Sequence, residues 1–315
     1  MLPITAAIEP MRLANRHAGD ELYRWHTITL DGEPVLASCG IEIQPSLKAE
    51  DLPPKSSIIV CGGLNIQSYA DKPVLNWLRR RSRLGDKIGS VCTGCHILAI
   101  AGLLDGFRCT IHWENIPSFS ETFPEITVSG NLYEIDRDRF TCAGGTAALD
   151  MMLAIMTDQQ GEEISTAVAD LIIHAPIRHH SEHQRRSLPA RIGTRHPKLN
   201  LIIHEMEANI EEPVSPAQLA KRVGLSPRQI ERLFKRYLQR TPKRYYLELR
   251  LQKARLLLLQ TDMSVINVAL SCGFSSPSHF SKCYRAFYGR TPYRERGSSS
   301  TMENGTAPAQ VNPGK

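Results

Sequence analysis

Between residues 25 and 173, short apolar and β-branched runs alternate with longer stretches whose apolar positions recur at helical spacing. His26 to Leu30, Ser57 to Val60, Lys87 to Val91, Cys109 to His112 and Phe140 to Cys142 read as strands. The alternation predicts an α/β domain with a mainly parallel sheet over residues 1–173. At 174–198 the pattern stops: three prolines, five arginines, one lysine and five histidines follow no sustained period, as expected of a linker. Residues 199–297 show helical periodicity alone and read as an all-α domain, and the Gly-, Ser-, Pro- and Asn-rich residues 298–315 read as a disordered tail.

Within the all-α part, Ser215-Pro216-Ala217-Gln218 has the form of a capping box, with Ser as N-cap, Pro at the first helical position and Gln three residues after the cap. The helix it starts buries Leu219, Ala220 and Val223 and stops at Gly224. Ser226-Pro227-Arg228-Gln229 repeats the signal. The second helix places Ile230, Leu233, Phe234 and Tyr237 on one stripe and leaves Arg228, Gln229, Glu231, Arg232 and Lys235 on other faces. Pro242 to Gln260 reads as one long helix with Leu247, Leu251, Ala254 and Leu258 in line. Then comes a short helix, Val265 to Ser271, with Ile266, Ala269 and Leu270 expected inward, and a turn at Cys272-Gly273-Phe274. A last helix opens at Ser276-Pro277, burying Phe280, Tyr284 and Phe287 and exposing Ser278, His279, Ser281, Lys282 and Arg285. Helix, glycine turn and basic helix make a helix-turn-helix, and the chain contains it twice.

Charge sharpens this picture. Residues 199–297 hold 17 Lys and Arg against 8 Asp and Glu, whereas residues 1–198 hold 20 against 23. Positive charge confined to one domain points to a polyanion as that domain's partner. A single basic amphipathic helix is as often a solvated face as a reader, but two capped units joined by a rod in one basic domain favour double-stranded DNA. With the rod as spacer, the two reading helices are expected to enter successive major grooves about 34 Å apart. No apolar run approaches the roughly 20 residues of a bilayer span, and no secretory signal opens the chain, so a cytoplasmic location without membrane contact is expected. Eight cysteines scattered through apolar segments read as buried thiols rather than a disulfide framework.

The run RLQKARLLLLQTDMSVINVALSCGFSSPSHFSKCYRAFYGRTPYRER, with Arg250, Ala254, Ile266, Ala269, Gly273, Phe274, Phe280, Gly289 and Pro292, resembles the signature of the AraC/XylS regulators. The resemblance covers about 100 residues. It implies base reading by Arg228, Glu231 and Arg232 in the first unit and by Ser278, Ser281 and Lys282 in the second, with Gln229, Lys235, Ser276 and His279 on the same DNA-facing helices. It also implies a homodimer and contact with RNA polymerase.

In the N-terminal part, Lys87 to Leu104 reads as a strand, a sharp turn at Cys92 and a helix. A thiol at a helix N-terminus is expected to have a lowered pKa, which suits a nucleophile or a ligand pocket. Gly62-Gly63 and Gly144-Gly145-Thr146 follow other strands and would converge on the same carboxyl edge of the sheet. The pieces AIEPMRLANR, ELYRW, VCGG, SVCTGC, AGLLDG, TIHWEN and FTCAGGTAALDMML resemble the PfpI-like branch of the class I glutamine amidotransferase-like superfamily, in the form fused to AraC-type domains. The resemblance implies a flavodoxin-like fold, with a further strand of the central sheet ahead of AIEPMRLANR; the true start is therefore expected upstream of Met1.

In catalytic relatives a cysteine at the position of Cys92 works with a histidine and an acid. Here Thr93 follows the cysteine where protease-like members have His, and Pro3 falls where the acid would be, so a non-catalytic ligand sensor is expected, without cofactor or metal. Its pocket would take Glu9, Gly62, Gly63, Cys92, Thr93, His112, Trp113 and Gly145, with Trp113 either meeting a quaternary ammonium group or packing in the core. The resemblance implies an effector such as arginine, glycine betaine or carnitine and control of catabolic genes. Two rivals remain: an enzyme of the PfpI-like class that carries a DNA-binding domain, and a redox switch at Cys92 and Cys95. HHSEH at 179–183 has metal-ligand residue types, with a polar linker as the alternative.

Overall fold

The computed structural model describes residues 1–174, 176–185, 188–194, 196–261 and 263–296; the expected tail lies outside them. The chain forms two compact units, Met1–Arg185 and Arg186–Lys315, so the division falls inside the stretch that composition marks as a linker.

The first unit opens with helix α1 (Leu2–Ala18) and two short ribbons: β1 (Ile28–Thr29) runs parallel to β4 (Leu47–Lys48), and β2 (Val35–Leu36) antiparallel to β3 (Glu42–Ile43). The central sheet has the order β5 (Ser57–Cys61), β6 (Lys87–Val91), β10 (Arg139–Cys142), β9 (Tyr133–Asp136), the first three parallel and β9 antiparallel. Beside β10, β7 (Arg108–Thr110) forms a parallel ladder with β8 (Thr127–Ser129), and the Thr110 N–H donates to Thr141 Oγ1 at 2.9 Å.

Successive residues of β5 point to opposite faces. Ile58 joins a core with Leu78 of α2 (Lys72–Arg83), Leu98 of α3 (Cys95–Ile100) and Phe119 of α4 (Ile116–Thr122). Ile59 packs with Ala148 and Met151 of α5 (Ala147–Gln160), and α1 and α6 (Glu162–Ile172) close over α5 through Leu13, Leu153 and Val168. The result is a helix, sheet, helix sandwich with the expected mainly parallel sheet.

Three strand expectations change. His26–Leu30 shrinks to two paired residues outside the central sheet, and Cys109–His112 becomes Arg108–Thr110. β9 escapes the hydrophobic pattern because Glu134 is buried within it, accepting from Asn131 Nδ2 at 2.7 Å and Arg108 at 3.2 Å.

Residues 176–185 have no hydrophobic period and are held instead by hydrogen bonds. The Leu132 N–H donates to the carbonyls of His180 (3.0 Å) and Glu182 (3.1 Å), and His183 bridges Asn131. The Arg178 guanidinium and backbone N–H meet the fully buried Asp150 carboxylate, which His174 Nε2 also contacts at 2.8 Å.

The second unit is helical among its described residues: α7 (Leu188–Ile192), α8 (Pro197–Ala208), α9 (Pro216–Val223), α10 (Pro227–Leu238), α11 (Pro242–Gln260), α12 (Val265–Ser271) and α13 (Pro277–Tyr288). The expected boundary at Leu199 cuts into α8. That helix has an unusual cap, His196 accepting the Leu199 N–H, and buries Leu199, Ile202, Ile203 and Met206 against α9 and α10. Both capping boxes are formed in full. Lys198 Nζ donates to the Val223 carbonyl at 2.6 Å, placing a cation on the C-terminal end of α9.

One inward face is corrected. On α12, Ile266 and Leu270 are about half exposed, and the buried stripe is Val265, Val268 and Ala269, continued by Cys272. Two stripes of similar hydropathy compete on this short helix, and the one beginning at Val265 meets Leu257 and Leu258 of α11 and Phe274. At Gly273, φ is +73° and an added Cβ would stand 2.6 Å from the Ile210 carbonyl oxygen, so both conformation and space require glycine.

Candidate functional site

The three parallel strands end together. Cys61 and Cys142 both stand in register with Val91, so the residues that follow, Gly62, Cys92 and Gly144, share one carboxyl edge. Cys92 has φ +57°, a left-handed conformation unusual for a side chain of this kind, and leads into a tight 3-10 turn, Cys92–Gly94. The neighbouring glycines make room for it. A Cβ at Gly144 would lie 2.7 Å from that of Cys92, and a Cβ at Gly62 would lie 2.0 Å from the Gly94 nitrogen. Of the Gly144-Gly145 pair, Gly144 touches the cysteine; a Cβ at Gly145 would have no neighbour within 4 Å. Thr93 is buried and donates its hydroxyl to the Gly63 carbonyl at 2.7 Å, which ties the two strand ends together.

The expected lowering of the Cys92 pKa is reversed. Burial pushes the thiol above its ordinary range, the Thr93 backbone N–H opposes this, and the nearby Glu114 carboxylate adds to the rise. The six-residue α3 begins only after the 3-10 turn, so little helix dipole reaches the sulfur. Cys92 should therefore alkylate more slowly with iodoacetamide at pH 7 than an unperturbed thiol. Its rate should climb about tenfold per pH unit through the neutral range as thiolate forms. A plateau below pH 8 in site-resolved mass spectrometry would overturn this.

Cys95 is fully buried, and desolvation with Cys109 beside it raises its pKa strongly. The eight cysteines are free thiols, with Cys39 and Cys61 exposed rather than buried as expected.

Beyond β7 the chain carries His112, Trp113 and Glu114, all partly exposed. Burial lowers the His112 pKa, against the pull of Glu114, whose carboxylate stands 3.8 Å from His112 Nδ1. The rings of His112 and Trp113 lie 5.6 Å apart, and the Arg185 guanidinium sits over the Trp113 ring at 4.3 Å. Glu9, on α1, pairs with Arg12 one helical turn on, and that hydrogen bond lowers its pKa. Sequence reasoning proposed Glu9 as the acid near Cys92. Glu114, whose charge reaches both Cys92 and His112, was overlooked although it stands inside the quoted TIHWEN. Among the described residues no group of three or more His, Cys, Asp or Glu is placed to hold a metal; the HHSEH residues belong to the segment bound along Leu132.

On the helical unit, Arg228, Gln229, Glu231, Arg232 and Lys235 are exposed along α10, while Ile230 and Phe234 anchor it. Gln229 Oε1 accepts the Ser226 N–H at 2.7 Å, so half of its amide serves the cap. On α13, Ser278, His279 and Lys282 are exposed and Ser281 partly so. Ser276 Oγ accepts the His279 N–H, and His279 Nε2 contacts Cys283 Sγ at 3.4 Å. The two cores share one rod: Tyr246 of α11 belongs to the first and Leu251, Ala254, Leu257 and Leu258 to the second.

A doubled helix-turn-helix with basic outer helices, joined to an α/β unit with a cysteine at its strand-end turn, defines a DNA-binding regulator. Residues 219–298 match the family "Helix-turn-helix domain" and residues 5–158 the "DJ-1/PfpI family". The chain is 47% identical over 296 residues to the HTH-type transcriptional regulator GbdR of Pseudomonas aeruginosa, covering 94% of this chain and 81% of that one. It is 41% identical over 314 residues to the HTH-type transcriptional regulator CdhR of the same species, covering 100% and 92%. Isonitrile hydratase of Pseudomonas putida is 31% identical over 152 residues, covering 48% of this chain and 66% of that enzyme. The chain belongs to the AraC-type transcriptional regulators that carry an N-terminal DJ-1/PfpI domain. No described helix is long and apolar enough to cross a membrane.

Proposed function

We propose that this regulator senses a small cationic metabolite, an amino acid or quaternary amine, beside Trp113 in a non-catalytic DJ-1/PfpI-type domain and controls catabolic genes in the cytoplasm. One observation carries the reading: a half-buried tryptophan with a carboxylate nearby already holds a cation, the Arg185 guanidinium, on its ring. A ligand ammonium or guanidinium group fits the same attraction. The raised Cys92 pKa and the neutral His112 argue against an activated nucleophile.

The test is thermal unfolding of the full chain with glycine betaine, carnitine, dimethylglycine, choline and arginine. A ligand at 100 times its Kd stabilises the native state by about 2.7 kcal/mol, and Trp113→Ala should abolish the shift. Stabilisation that survives Trp113→Ala would refute this site.

On DNA, Arg228, Glu231, Arg232, Ser278, Ser281 and Lys282 would read base edges in two successive major grooves as part of a homodimer, which may be addressed by RNA polymerase once bound. Arg232→Ala should cost about 1–3 kcal/mol and relax preference at one base position, whereas Lys235→Ala should weaken all sequences alike and reduce the salt slope by about 1. Binding-site selection with titration at several salt concentrations separates the two; equal behaviour of both variants would refute the assignment.

A further inference from the structure

We infer that Arg185 is a built-in competitor for the cation subsite on Trp113, and that a cationic ligand displaces it and thereby loosens the segment 178–185. The inference rests on the ligand reading above and adds how occupancy reaches the rest of the chain.

The segment is held unequally at its two ends. At its start, Arg178 meets a fully buried carboxylate, Asp150, through both guanidinium and backbone, and its terminal nitrogen also donates to Thr146 Oγ1 at 2.7 Å. Along its length, His180 and Glu182 accept from Leu132, and Gln184 Nε2 lies 2.9 Å from Thr110 Oγ1, 3.0 Å from the Ile111 carbonyl and 2.9 Å from the Asn131 carbonyl. At its far end, Arg185 is exposed and rests on the Trp113 ring. An exposed cation–π contact is among the weaker attachments in the series, so this end is the one a ligand displaces first.

The placement gives displacement a consequence. Gln184 is anchored to Thr110 and Ile111, which lead directly into His112 and Trp113, so the ring and the strap share one short stretch of backbone. Arg185 is the last residue of the first unit; from the next residue the chain enters the unit that carries both helix-turn-helix motifs. A ligand shifts such an equilibrium only by its differential affinity for the two states, and competition for one ring face supplies that difference.

The test uses the full chain with tetramethylammonium chloride as probe and sodium chloride at equal ionic strength as control. Affinity is read by calorimetry and strap order by hydrogen exchange at the Leu132 amide. Removing the competitor with Arg185→Ala should tighten probe binding about 2- to 5-fold, the ratio that corresponds to an exposed cation–π contact. The variant should also speed Leu132 exchange without any probe, and Arg185→Lys should restore most of both effects. On the wild-type chain the probe, but not sodium chloride, should speed the same amide. Unchanged or weaker probe binding by Arg185→Ala overturns the inference while leaving the ligand reading in place. No binding of the probe to either protein overturns both.

Discussion

Truncating Phe280 to alanine is expected to cost about 3–5 kcal/mol, the largest effect of any single change considered for the helical unit. The ring is fully buried, stacked at 5.0 Å on Phe274 and edge-on at 5.6 Å to Tyr284, in the core that joins α11, α12 and α13. It is also the residue that fixes the angle of α13, because Ser278, Ser281 and Lys282 on its outer faces are aimed only as well as its inner face is seated. A domain of this size has perhaps 5–15 kcal/mol to lose, so the second helix-turn-helix should melt or loosen well before the rest of the chain. All three tryptophans lie in the first unit, at 25, 77 and 113, so fluorescence would follow that unit while helical circular dichroism follows the second. Urea unfolding by both signals should show the dichroism midpoint lowered and the fluorescence midpoint unchanged. A loss under about 1 kcal/mol would mean that the ring is not packed as described.

The second large effect is expected at Arg250. From the middle of α11 its guanidinium donates to the carbonyl oxygens of Cys272 at 2.8 Å and Gly273 at 2.7 Å and lies 4.1 Å over the ring of Phe274. One side chain thus holds the turn of the second helix-turn-helix against the rod. Arg250→Ala should destabilise that unit by about 2–3 kcal/mol, less than two full charge-assisted bonds because the group is partly exposed to water. Lysine should recover little, since it cannot span both carbonyls in a planar fork. If Arg250→Lys matched wild type in urea unfolding and in DNA affinity, the clamp would have no role.

These two residues also show how the signature in the sequence acquires a physical meaning. Arg250, Gly273, Phe274 and Phe280 are spread over 31 positions and look unrelated as a string, yet they meet at one turn: an arginine on its carbonyls, a glycine that alone fits beneath Ile210, and two stacked rings. Ile266 is the informative exception, matching the pattern while standing half exposed.

Local signals were legible where local physics decides. Capping boxes, proline at the first helical turn and glycine at the C-cap depend on residues three or four apart, and α9 to α13 begin and end where those signals stand. The parallel strands Lys87–Val91 and Ser57–Cys61 were legible for the same reason, as continuous apolar runs between glycines. Tertiary structure alone decided what depends on partners distant in sequence. It buried Glu134 in a strand by giving it Arg108 and Asn131, chose Val265 over Ile266 as the inward residue of α12, and raised the Cys92 pKa by enclosing the thiol. It also turned residues 176–185 from an apparent linker into a segment held by Asp150, Leu132 and Trp113. Hydrogen bonds and a cation on a ring leave no period in a sequence, because the groups that satisfy them lie 28 to 74 residues away.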